Sequence, residues 1–132
     1  MIGLDTNVLV RYFAQDDAAQ SKKATALMES FSAERPGYVS QVALVEIVWV
    51  LGRSYGVERD QMKDIIESML GTKELVVEGA DTVRKALRVF AASDKADFAD
   101  CLIERSGHVA ECEYTATFDV TASKVVGMML IK

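Results

Sequence analysis

One proline, one histidine, one tryptophan and two cysteines are all that the 132 residues hold of these types. A lone histidine does not make a zinc site, and no other part of a catalytic triad is seen in the chain for it to anchor. Cys101 and Cys112 stand in no CxxC or Cys/His spacing, so free thiols in a reducing, cytoplasmic setting are expected. His108 follows Gly107 in a polar stretch and is read as a surface residue. No serine sits in a nucleophile-elbow motif, and neither a P-loop nor GxGxxG occurs. No apolar run approaches the roughly 18–20 residues of a membrane span. Asp5 and Arg11 interrupt the N-terminal apolar stretch, so no signal peptide is expected. A surplus of positive charge is missing too: 20 acidic against 15 basic residues give a net charge of −5. That argues against a dedicated nucleic-acid binder. It leaves room for an enzyme whose clustered carboxylates hold metal.

Half the residues are hydrophobic. A chain of this length buries roughly two-thirds of its unfolded surface, so one domain over 1–132 with a real core is expected. Strands are expected at 1–5, 38–39, 75–78, 114–117 and 126–131. Helical spacing marks the stretches between them: Val8 to Phe13, a segment from Asp16-Asp17 to Phe31, Gln41–Tyr55, Glu58–Leu70, Asp81–Ala92 and Asp97–Ser106. Thr6 and Ser40 are placed to cap helices, and Gly56 and Gly107 to end them. Strand–helix alternation predicts an α/β fold with a mainly parallel, roughly five-stranded sheet and helices on both faces. The apolar helix pair within 41–70 is expected to form part of a dimer surface.

Five carboxylates stand out. Asp5 closes the first strand, where open α/β sheets place their ligands. Glu46 lies in a helix that is apolar almost all round, with no Lys or Arg at i±3 or i±4, and burial without a partner would cost several kcal/mol. Asp97 and Asp100 share one helix face; Asp97 also suits an N-cap and Asp100 the helix dipole. Asp119 closes a strand as Asp5 does, with Thr117 pointing the same way. Asn7 is placed to assist Asp5. Two such carboxylates at 4 Å repel by roughly 4 kcal/mol at an effective dielectric near 20. A hard divalent ion, Mg²⁺ or Mn²⁺, would remove that penalty with all-oxygen ligands.

Together Leu4-Asp5-Thr6-Asn7-Val8-Leu9, the stretch from Ser40 to Leu51 around Glu46, Ala96 to Ile103 and Thr117-Phe118-Asp119 resemble a PIN domain, and within that group the VapC-type toxin ribonucleases. The resemblance covers nearly the whole chain. It implies a three-layer α/β/α sandwich and a Mg²⁺- or Mn²⁺-dependent endoribonuclease. Asp5, Glu46, Asp100 and Asp119 match the acidic quartet by position, with Asp97 as an accessory ligand. It also implies a cognate antitoxin, a homodimer and an RNA substrate cut by water to 5′-phosphate and 3′-hydroxyl ends. Arg11, Arg53, Lys95, Arg105 and Lys124 are candidates to hold RNA phosphates. Val120-Thr121 stand where a basic residue is more usual in the family. Rival readings are a PIN nuclease in RNA processing without a toxin role, a non-catalytic PIN-fold binding module, and a haloacid dehalogenase-like phosphatase, suggested by Asp5-x-Asn7. The last lacks its second acid where Asn7 stands.

Overall fold

The strands are shorter than the sequence implies, and helices do most of the burying. In the computed structural model, which describes Met1–Lys132, the chain divides into two units, Met1–Glu78 and Gly79–Lys132. The first unit runs β1 (Ile2–Gly3), α1 (Thr6–Ala14), α2 (Ala18–Glu29), β2 (Gly37–Val39), α3 (Gln41–Tyr55), α4 (Arg59–Gly71) and β3 (Leu75–Val77). β2 is the middle strand and runs parallel to both neighbours, pairing Gly37 with Ile2 on one side and with Leu75 on the other. A parallel pair needs a long crossover. Here each crossover is two helices. Gly37 is required by crowding, because a Cβ there would stand 2.5 Å from a ring carbon of Phe31.

Parallel strands send their successors out at the same end. α1 therefore starts just past β1 and α3 just past β2. Ser40 caps α3, its hydroxyl accepting the Ala43 N–H at 3.1 Å, and Gly56 ends it with φ of 63°. α1 packs on α2 and α3. A polar knot reinforces this packing. Arg11 donates to Gln20 at 2.7 Å and to the Tyr55 hydroxyl at 3.2 Å, and pairs with Asp16 at 3.3 Å. The Tyr55 hydroxyl in turn donates to Asp16, which lowers the Asp16 pKa and raises that of Tyr55.

α3 is apolar almost all round in sequence, yet the core takes up only part of it. Ala43, Leu44, Ile47 and Leu51 are buried, whereas Val42 is 71% and Trp49 60% exposed. Val42, Glu46, Trp49 and Arg53 recur at helical spacing, and all four are exposed. Glu46 is therefore an exposed carboxylate, and no burial penalty bears on it. Only the stripe that meets neighbouring elements is covered, and hydropathy along the helix does not say which stripe that is.

The second unit runs α5 (Ala80–Ala91), α6 (Phe98–Val109), β4 (Ala116–Thr117), α7 (Val120–Val125) and β5 (Met129–Leu130). α5 packs along α6, with Phe90 and Phe98 edge to face at 5.8 Å. β4 and β5 pair in parallel. The roughly five-stranded sheet is thus observed as a three-stranded sheet in the first unit and a two-stranded sheet in the second. Two further differences have local causes. Gly107 does not end α6; it lies inside the helix, where a Cβ would stand 2.7 Å from the Thr115 hydroxyl. The strand expected at 126–131 shrinks to Met129–Leu130, because Val120–Val125 is helical and Gly127, at φ of 94°, turns the chain.

Replacing Ile47, which is fully buried, with alanine is expected to lower unfolding free energy by about 2–5 kcal/mol in urea titrations. Val42→Ala, on the uncovered face, should stay within about 0.5 kcal/mol of wild type. Equal losses would show that this face is covered.

Candidate active site

In the first unit β1 delivers Asp5 to the start of α1. Its backbone is extended, at φ −74° and ψ 153°, and its carboxylate accepts the Thr6 N–H at 2.8 Å. Asp5, rather than Thr6, is therefore the cap. This leaves the Thr6 side chain free. Its hydroxyl, nearly buried, donates to Oε1 of Glu46 at 2.9 Å. The residue next to Asp5 thereby holds a carboxylate forty positions away. Asn7 lies exposed in the same first turn of α1. Ser40 is engaged at the start of α3, where Glu78 also accepts the Gln41 N–H at 2.8 Å. Neither the Thr6 nor the Glu78 contact is visible in the sequence, since both partners lie far along the chain.

In the second unit Asp97 caps α6, accepting the Asp100 N–H at 3.3 Å. Asp119 caps α7, accepting the Ala122 N–H at 3.1 Å, while its own N–H donates to the Thr117 hydroxyl at 3.0 Å. Thr117 thus fixes the backbone of Asp119 rather than its carboxylate. Asp100 sits half-buried in the first turn of α6. Burial pushes its pKa up, and the charges of Asp97 and Asp119 push it further the same way. Two aspartates held by their caps thus add to the burial that opposes charge on Asp100.

The cations expected to meet substrate fall into two groups. Arg11 is held in the knot with Asp16 and Gln20, and Arg105 is paired with Glu104 at 2.6 Å, a contact that raises its pKa. Arg53 lies over the Trp49 ring at 5.3 Å, and Lys95 and Lys124 are exposed. His108 is exposed near the end of α6.

The donors are carboxylates throughout, the set that suits a hard divalent cation rather than zinc. Burial first, and the charges of Asp97 and Asp119 after it, oppose the ionised form of Asp100, and a cation there would favour it. No group of three or more His, Cys, Asp or Glu side chains is arranged to hold a metal ion by itself.

The family model of the PIN domain matches residues 2–126, which takes in both units. The chain belongs to the PIN domain family. PIN domains are α/β folds and in general nucleases, and PIN nucleases generally use divalent metal ions. No curated protein and no solved structure matches this PIN domain.

The linkage of Asp100 has a definite sign. A carboxyl whose folded pKa is raised binds its proton more tightly when folded, so its contribution to stability falls as pH rises from the ordinary carboxylate value through the raised one. Asp100→Asn should therefore melt higher than wild type near pH 7, and this gap should close as pH falls to about 4. Thermal melts across that range check it; a gap independent of pH would contradict the charge origin.

Proposed function

We propose that this PIN domain is a divalent-metal-dependent endoribonuclease and the toxin of a type II toxin–antitoxin pair. The observation that carries the reading is the trio of Asp97, Asp100 and Asp119 at helix starts, two of them as caps and Asp100 half-buried in a first turn. A fold gains nothing from holding three such groups at helix starts beyond the caps themselves. A cation-dependent site does. Asp5, Glu46, Asp100 and Asp119, with Asp97 as accessory, are the proposed ligands of Mg²⁺ or Mn²⁺.

When bound, the ion would polarise the scissile phosphate and acidify the attacking water. The chain's own residues prepare for this. Thr6 orients Glu46 through its hydroxyl, and the Thr117 turn fixes the backbone from which Asp119 projects. Asp5 uses one carboxylate oxygen for the cap and keeps the other for a ligand. Arg53, Lys95 and Lys124 are the proposed contacts to RNA phosphates, since Arg11 and Arg105 are already paired. Such local cations reconcile an acidic chain with an anionic substrate. An antitoxin segment would act by occupying the same carboxylate site. The expected location is the cytoplasm, and no helix is long and apolar enough to cross a membrane.

RNA incubated with the protein and Mg²⁺ or Mn²⁺ should be cut to fragments with 5′-phosphate and 3′-hydroxyl ends, and EDTA should stop it. Products ending in a 2′,3′-cyclic phosphate would overturn the water-attack scheme. Asp5→Asn should abolish cleavage while leaving the melting temperature near wild type, because asparagine caps helices as well as aspartate. Metal at a hundredfold its dissociation constant should stabilise the folded protein by about 2.7 kcal/mol, read as a thermal shift.

A further inference from the structure

Two aromatic side chains stand uncovered beside the carboxylates, one on each unit. Trp49 is 60% exposed and lies one turn beyond Glu46 on the same face of α3. Phe118 is 80% exposed, the most exposed large apolar side chain of the chain, and immediately precedes Asp119. Neither contributes to a core. Each therefore keeps in water an apolar surface worth burying, held on backbone that a helix or a capped turn makes rigid.

The charge around Trp49 indicates what covers it. Arg53 lies 5.3 Å from the indole centroid and takes part in no ion pair with a carboxylate. An indole with an adjacent unpaired guanidinium matches a nucleotide: a base for the ring, a phosphate for the cation. The uncovered face is also a poor protein interface. Its two apolar residues, Val42 and Trp49, are separated by Glu46 and followed by Arg53, all within one narrow stripe. A stable protein contact buries roughly 800 Å² on each partner around an apolar centre.

We propose that Trp49 and Phe118 are base-stacking residues that grip unstacked bases of the RNA substrate. The proposal rests on the nuclease reading of the neighbouring carboxylates and adds to it the means of gripping the substrate. Metal ligands act on the phosphodiester and read no base. Stacking supplies affinity without positive charge, which suits a chain of net charge −5. A base inside a duplex offers no free ring face, so single strands, loops and bulges are the accessible substrates.

Trp49 is the only tryptophan, so its fluorescence reports this site alone. The experiment uses Asp5→Asn protein in EDTA, titrated with a short unstructured oligoribonucleotide and with a duplex of the same length. The single strand should change the emission at saturation and the duplex should not. Trp49→Ala and Phe118→Ala should each weaken single-strand binding about tenfold in a polarisation assay, with Trp49→Phe retaining most of the affinity. Both alanine variants should melt like wild type. Unchanged emission at saturating RNA, or alanine variants that bind as wild type, would overturn the stacking role whether or not wild type cleaves. Stacking without any cleavage by wild type in Mg²⁺ or Mn²⁺ would overturn the nuclease reading and leave this one standing. Emission that depends on protein concentration and ignores RNA would show that a second copy covers Trp49, and would also overturn it.

Discussion

A carboxylate that accepts a backbone N–H at the start of a helix is the contact on which both halves of the proposed site depend. Asp5, Asp97 and Asp119 each cap a helix in this way. A helix start leaves N–H groups without partners, and its dipole favours negative charge. The cap therefore removes two costs together. It anchors one oxygen of the carboxylate and places its charge at the positive end of the helix dipole. One oxygen remains for chemistry. Folding and the proposed function thus draw on the same side chains, and asparagine separates the two, since it caps without carrying charge.

The first unit turns this into a relay. Because Asp5 takes the cap, the Thr6 hydroxyl is free to reach Glu46 on α3. α3 is itself pinned where it starts by Ser40 and Glu78. Two helices that begin beyond neighbouring parallel strands are thereby held in a fixed relation, and Glu46 projects from a face that the core does not use. In the second unit the cost of collecting acids shows at Asp100, whose pKa rises because burial and two aspartates oppose its charge. Stability is given up there at neutral pH, in the place where a cation would restore it.

Much of this is legible in the residues. The strand–helix alternation, the Ser40 cap, the Gly56 stop and the positions of Asp5, Asp97, Asp100 and Asp119 at element starts all follow from local rules, because caps and breakers act within one turn. The departures have one origin. The apolar run of α3 implies a buried Glu46, yet burial depends on which stripe meets a neighbour. Gly107 has the look of a helix stop, yet it serves close approach to Thr115. α7 is invisible to periodicity because six residues rich in β-branched side chains carry no helical period, and the Asp119 cap decides the matter.

The sequence by itself determined the family, the acids and the order in which they arrive, since each of these is carried by residue identity and spacing along the chain. Tertiary structure alone decided which side of α3 faces water, what the Thr6 hydroxyl holds, which arginines are already paired, and that Trp49 and Phe118 stand uncovered. Most of these depend on residues far apart in the chain, Thr6 and Glu46 by 40 positions and Arg11 and Tyr55 by 44, and exist only once packing has closed the distance.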